Sequence, residues 1–300
     1  MKKTLRVLLI IGLILTLIGG LVFVVGFAST GWDYKALGSM QVETLRYTEK
    51  AENPLTALTL DFENADVSVT FDETAESVIV DYPQLQDRNG KLLSEVTLTE
   101  TDGGLSISEK VSDWKFGMWD FTDPKVYITL PASRVYALAI TTDNGDIKFT
   151  GAGQTSSVTV NTDNGDVKIT SLVCENAITL TTDNGNMVLE NISAKTLTIE
   201  ANNGDVSLQG SILAEHIEME TDNGDITTKN GVLDGKVLIF ESDNGDIKLR
   251  LAGAQADYAV LVETDNGNSN LSPTLNASSN ARNLKITTDN GDIHVTFTEE

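Results

Sequence analysis

An Asn-Gly corner returns through the C-terminal half of the chain at a nearly constant interval. It stands at Asn144-Gly145, Asn164-Gly165, Asn184-Gly185, Asn203-Gly204, Asn223-Gly224, Asn244-Gly245, Asn266-Gly267 and Asn290-Gly291. Successive glycines lie 20, 20, 19, 20, 21, 22 and 24 residues apart. A period of this length marks a repeat architecture, and it restricts the fold more than any local motif does.

Aligned on the glycine, the copies resolve into columns. Seven residues before it stand Leu138, Val158, Ile178, Leu197, Ile217, Leu238, Val260 and Leu284. Five before stand Ile140, Val160, Leu180, Ile199, Met219, Phe240, Val262 and Ile286. Three before, the residue is Thr, Ser or Ala, as in Thr142, Ala201 and Ser242. Two after, it is apolar again, from Ile147 to Ile293, with Ser269 the exception. Four after come residues such as Phe149 and Val295, with Thr228 the odd one.

Apolar positions two apart read as strands, because side chains alternate faces along a strand. Each repeat is then a strand, a tight corner and a second short strand. A variable remainder carries a looser apolar mark such as Leu172, Ile192, Ile212 or Val232. Asn and Gly are expected at the corner because they tolerate positive φ. Hairpins in a meander or barrel fit the Asn-Gly signal. A solenoid, in which each repeat is one coil stacked in parallel on the last, fits the column identity better, since only a stack places like residues above like. The expected fold is all-β: a single-stranded parallel β-solenoid, β-helix-like, with coils of about 20 residues, preceded by one N-terminal transmembrane helix.

That helix is read from Val7 to Ala28, twenty-two residues without a charge, enough to span a bilayer. Lys2, Lys3 and Arg6 precede the run and Asp33 follows it, which orients the N-terminus inward and the bulk outward. A cleaved signal peptide is the alternative, with small Gly26 and Ala28 near a cleavage position, but its apolar core would be unusually long. The domain reading follows: 1–29 cytoplasmic tip and anchor, 30–54 linker, 55–137 degenerate coils with an aromatic cap, and 138–300 regular repeats. Asn64-Ala65-Asp66 stands where Asn-Gly-Asp stands later. Asp102-Gly103-Gly104 opens another imperfect coil. Trp114, Phe116, Trp119 and Phe121 are read as a plug over the first coil, since aromatic rings supply large apolar area.

The formal net charge is −23, which repels the phosphates of nucleic acid. The single Cys174 excludes an internal disulfide. Two acidic columns flank the corner. Two before the glycine stand Asp143, Asp163, Asp183, Asp222, Asp243, Asp265 and Asp289, with Asn202 the exception. One after stand Asp146, Asp166, Asp205, Asp225, Asp246 and Asp292, with Asn186 and Asn268 the exceptions. Stacked carboxylates repel, and a hard cation such as calcium is one relief, through Asp143, Asp146, Asp163, Asp166, Asp222, Asp225, Asp243 and Asp246. The plainer reading is that Asp and Asn bond their own turn's amides, with the Asn column an interior amide ladder and no cofactor. Only His216 and His294 occur, and no nucleophile elbow, P-loop or zinc-spaced set is present. The enzymatic rival is a carbohydrate-active β-helix. A scaffold repeats its acids in every coil, whereas a catalytic site would be a local departure.

The array, the preceding Val126-Tyr127-Ile128-Thr129-Leu130-Pro131 segment and the N-terminal anchor together resemble the putative adhesin domain of bacterial envelope proteins, a domain of unknown function. The resemblance covers roughly 55–300. It implies a β-solenoid on the outer face of the membrane, typically in Gram-positive bacteria, with some relatives tied to envelope-stress systems, and it transfers no catalytic or binding residues. The expected role is a membrane-anchored, non-catalytic interaction module that touches cell-wall polymer or an envelope protein. An accessory or sensor subunit of a stress response is the alternative.

Overall fold

The structure is a computed structural model that describes residues 2–29, 31–32, 40–50, 52, 54–87, 89–111, 123–275 and 281–299, with the side chains of 2–14 and 17 outside the description. Among the described residues one α-helix, α1 (Lys2–Ser29), is followed by strands and one 3-10 turn, Gln255–Asp257. The first are β1 (Met40–Thr48), β2 (Ala57–Phe62), β3 (Asp66–Asp72), β4 (Ile79–Asp87), β5 (Ser94–Thr101), β6 (Gly104–Val111) and β7 (Lys125–Pro131). The regular array contains β8 (Val135–Asn144), β9 (Ile147–Thr150), β10 (Gly153–Asn164), β11 (Val167–Cys174), β12 (Ala177–Asn184), β13 (Met187–Asn203), β14 (Val206–Asn223) and β15 (Ile226–Asp234). It ends with β16 (Val237–Ser242), β17 (Ile247–Leu251), β18 (Tyr258–Thr264), β19 (Arg282–Thr288) and β20 (Ile293–Phe297).

The chain divides into two units. One comprises Met1–Glu43, Gln84–Ser94 and Val111–Asp123, and holds α1. The expected helix is present as α1, but among the described residues no helix is long and apolar enough to cross a membrane. In the same unit, Asp87 closes a turn by accepting the amides of Asn89 and Lys91. The aromatic plug at Trp114, Phe116, Trp119 and Phe121 lies outside the described residues. Part of the stretch expected as a linker is strand β1, where Leu45 and Tyr47 alternate with polar neighbours.

The other unit comprises Thr44–Pro83, Glu95–Lys110 and Pro124–Glu300, and it is a parallel β-solenoid. Strand β10 pairs in parallel with β8 and β12, with Val160 beside both Ile140 and Leu180. The second strands stack likewise, Ile169 lying between Phe149 and Leu189. Hairpins are thereby ruled out for the repeats, because equivalent residues sit side by side in one direction. Ile140, Val160, Leu180, Ile199, Met219, Phe240 and Ile286 are all within 1% of complete burial. Each such side chain contributes about 1.5–3 kcal/mol by leaving water. Of the looser marks, Leu172, Ile192 and Ile212 are buried as expected, but the next coil buries Leu233, not Val232. Asn230, an extra residue of β15 opposite the Gln209–Gly210 step, shifts the register.

Spatial order departs from chain order at both ends. Strand β16 pairs with β19, and β18 pairs with the far side of β19. The last repeat therefore inserts between the sixth and seventh. At the other end β2 pairs with β8 on one side and β6 on the other, and β3 does the same with β9 and β7. The reason is visible in the columns. An interior layer needs an apolar residue two past the corner, which the Asn290 repeat supplies with buried Ile293. The Asn266 repeat has Ser269 there and takes the outermost place, where its polar group is only half-buried.

The corner glycines are needed for a reason other than positive φ. None of the eight adopts it; the left-handed positions lie at the opposite corner, at Gly151, Ser171, Asn191, Gly210, Asn230 and Gly253. A Cβ on Gly165, Gly185, Gly204, Gly224, Gly245, Gly267 or Gly291 would instead overlap the carbonyl oxygen of the glycine one layer below. Gly185→Ala is expected to cost about 3 kcal/mol, as overpacking against immovable backbone does. Ser171→Gly, at φ 57°, should instead raise stability by about 0.5 kcal/mol. Urea midpoints at unchanged slope measure both.

Candidate functional site

The stacked corners concentrate the polar side chains that distinguish this chain. Each asparagine donates from Nδ2 to Oδ1 of the one below: Asn144 to Asn64 at 2.9 Å, Asn164 to Asn144 at 2.9 Å, and Asn184 to Asn164 at 3.0 Å. The ladder continues through Asn203, Asn223 and Asn244, then passes to Asn290 at 2.9 Å and ends at Asn266 at 3.0 Å. Amide ladders of this kind accompany in-register parallel stacking. The ladder was expected in the interior; its residues are exposed, because the corner turns their side chains away from the apolar columns.

The residues three before the glycine face inward and complete the corner. Thr162 and Thr221 donate to the carbonyls of Gly145 and Gly204 one coil below, and Thr288 donates to Gly245. Ala201, lacking a hydroxyl, is the break in that column.

The acid one past the glycine also bonds between coils instead of capping its own turn. Asp146 Oδ1 accepts the amide of Asp166 at 2.9 Å, Asp225 that of Asp246 at 2.8 Å, and Asp246 that of Asp292 at 2.8 Å. Where Asn186 replaces the acid, its Oδ1 accepts the amide of Asp205 at 3.0 Å. The column thus supplies a carboxylate or carboxamide oxygen to an otherwise unmet N–H in each layer. Lys248 also bonds Asp246 at 2.6 Å, and this contact, with the Asp292 amide, holds the Asp246 carboxyl below its ordinary range.

The acids two before the glycine are exposed and form the second column. Burial, with Asp163, Glu63 and Asp61 nearby, pushes the Asp143 carboxyl up. Among the described residues no group of three or more His, Cys, Asp or Glu is placed to hold a metal ion. The calcium set Asp143, Asp146, Asp163, Asp166, Asp222, Asp225, Asp243 and Asp246 therefore gains no geometric support. Half of it already serves the backbone.

A third acidic column was not singled out from the sequence. Thr181, Glu200, Glu220 and Glu241 lie side by side on the outer face of the first strands. Partial burial, then Glu241 and Glu200 on either side, push the Glu220 carboxyl up. The signal was available four positions before the glycine, at Glu200, Glu220 and Glu241.

A buried clamp was also missed. Arg134 binds Glu49 through two contacts of 2.7 Å, and Glu49 also accepts the amides of Leu55 and Val78. Burial raises the Glu49 carboxyl, but these partners outweigh it and hold it below its usual value. Arg134 lies over the ring of Tyr136, whose hydroxyl burial pushes up to about 12. Partners 85 residues apart leave no local signature. Cys174 closes strand β11 and is buried. His294 is exposed, and His216 lies within β14 beside Glu218 at 3.4 Å.

Residues 55–296 match the family described as Toastrack DUF4097. Among solved structures, a putative adhesin from Bacteroides fragilis aligns over 85% of this chain and 97% of its own, at 17% identity and a TM-score of 0.49. A putative cell adhesion protein from Clostridium sporogenes aligns over 86% and 100%, at 13% identity and a TM-score of 0.29. A putative lipid binding protein from Parabacteroides distasonis aligns over 88% and 98%, at 13% identity and a TM-score of 0.38. No curated protein matches the chain.

Two outcomes follow for the stacked corners. Asn203→Ala, which loses a carboxamide bonded on both sides, should cost about 1–2 kcal/mol, and Asn266→Ala, bonded on one side, about half of that. The raised Glu220 pKa has a definite sign. A carboxyl whose folded value exceeds its unfolded value weakens the fold as pH rises through that interval. Glu220→Gln should therefore raise Tm at neutral pH. The gain should vanish below the ordinary value of 4.5 and shrink with added salt.

Proposed function

The chain belongs to the Toastrack DUF4097 family, and from that premise we propose that it is a membrane-anchored, extracytoplasmic interaction module without catalytic activity. The observation that carries this reading is the continuity of the outward columns. Threonine, asparagine, aspartate and glutamate side chains repeat from layer to layer at the strand spacing of ~4.8 Å, and the corner acids one past the glycine accept backbone amides of the neighbouring coil. Such a surface suits many weak, equivalent contacts rather than one deep site. Its partner is a repeating polymer of the cell wall that carries amine groups, or an envelope protein with a basic face, since the chain's net charge is −23.

The anchor is helix α1 (Lys2–Ser29), with Lys2, Lys3 and Arg6 held at the cytoplasmic side. Alkaline extraction of cell membranes should leave the full chain in the pellet, with the repeats open to external protease. Release into the soluble fraction would refute the anchoring. For the surface, the detergent-purified full chain should co-sediment with isolated cell walls at low salt. A Glu200→Gln, Glu220→Gln, Glu241→Gln triple variant should co-sediment less. Capture of one membrane protein at equal stoichiometry would favour the accessory-subunit role, and breakdown of wall polysaccharide would overturn the non-catalytic reading.

A further inference from the structure

Among the described residues, the exchange of order at the C-terminal end leaves one corner, Asn266-Gly267, with nothing stacked on it. Asn144, Asn164, Asn184, Asn203, Asn223, Asn244 and Asn290 each have Oδ1 engaged by the asparagine of the next layer. Asn266 donates to Asn290, but among the described residues nothing donates to its Oδ1. The seven other glycines are covered or partly covered, and Gly267 is exposed. The carbonyl of Gly291 accepts Thr264 and packs under Gly267, whereas among the described residues no hydroxyl reaches the carbonyl of Gly267.

We propose that Asn266 is a site of spontaneous covalent modification, and that stacking protects the other seven repeat corners from the same reaction. Asn-Gly is the dipeptide in which the following amide nitrogen most readily reaches the asparagine carboxamide, because glycine has no side chain in the way. Base removes the Gly267 amide proton, the nitrogen bonds to Cγ of Asn266, and the Cγ–Nδ2 bond breaks. Nδ2 leaves as ammonia and takes up a proton, so the ring closure is balanced without oxidant or reductant. Water then opens the five-membered imide at either carbonyl, which yields aspartate or isoaspartate.

Ring closure requires the Asn backbone to rotate and the carboxamide to leave its partners. In a stacked corner this means lifting the next coil away, and reaction can proceed only from a locally opened state. At Asn266 the bonds that oppose it all run to the layer below, from the carboxamide to Asn290 and from the backbone amide to Asp289, and among the described residues none comes from a layer above. The product carries a new negative charge beside Asp265 and lacks the donor to Asn290, so the modification alters the end layer alone. Asn89-Gly90, in an exposed turn outside the repeats, provides an internal reference for an open Asn-Gly.

The test is incubation of the purified full chain in mildly alkaline buffer, with peptide mass spectrometry following a gain of about 1 Da at each Asn-Gly. Conversion at Asn266 should exceed that at each of the seven stacked corners by at least ten-fold, roughly the effect of a 1.4 kcal/mol difference in barrier. It should approach the rate at Asn89. In urea-unfolded chain the advantage of Asn266 should disappear, which separates protection by stacking from an effect of neighbouring sequence. Equal slow conversion at all eight corners, or faster conversion at any stacked corner, would overturn the proposal. So would persistence of the difference in the unfolded chain.

Discussion

The contact on which this fold rests is the approach of one coil's backbone to the next at the glycine corner. Gly145 sits over the carbonyl of Ala65 and each of the other seven over the carbonyl of the glycine below, with no room for a Cβ. Once that spacing is set, the Asn, Thr and Asp columns fall into hydrogen-bonding register and the apolar columns meet behind them. The corner controls register for a simple reason: a slip of one residue along a strand would turn every buried side chain outward.

The acidic columns oppose this arrangement, and the magnitudes show why the stack tolerates them. Two carboxylates a strand spacing apart repel by about 1 kcal/mol in water, and salt weakens that further. Each coil buries several aliphatic side chains at about 1.5–3 kcal/mol apiece. Packing therefore dominates, and the acids one past the glycine return part of their cost by accepting amides from the neighbouring layer. Two acids feel the crowding in their pKa, Asp143 and Glu220; in both, desolvation is the larger cause and neighbouring carboxylates add to it.

Much of the site was legible in the column alignment. The parallel stack, the Asn ladder and the inward Thr column follow from identity at fixed offsets, since only stacking in register makes like residues neighbours. Even the degenerate Asn64 repeat was visible from Asn64 and Asp66, which form the first rungs of the two ladders. Other features had no such signal. Positive φ at the corner was a reasonable inference from Asn-Gly, yet turn chemistry and close backbone approach select the same residue. The Glu49–Arg134 clamp joins residues whose proximity depends on the whole intervening chain. Strand β1 was obscured because polar residues surround its few apolar ones.

By itself, the sequence determined the period, the direction of pairing and the identity of the core columns, because those depend on local alternation and on repetition. Only the tertiary structure decided which coil lies on which. The repeats share their inward residues, so any two of them stack acceptably, and chain order is simply the shortest connection. The order was settled at the ends, where the Asn290 repeat with Ile293 fills an interior layer and the Asn266 repeat with Ser269 is left on the open face. That choice turns on the cost of burying one polar side chain between two layers, a quantity that exists only once the layers are in place.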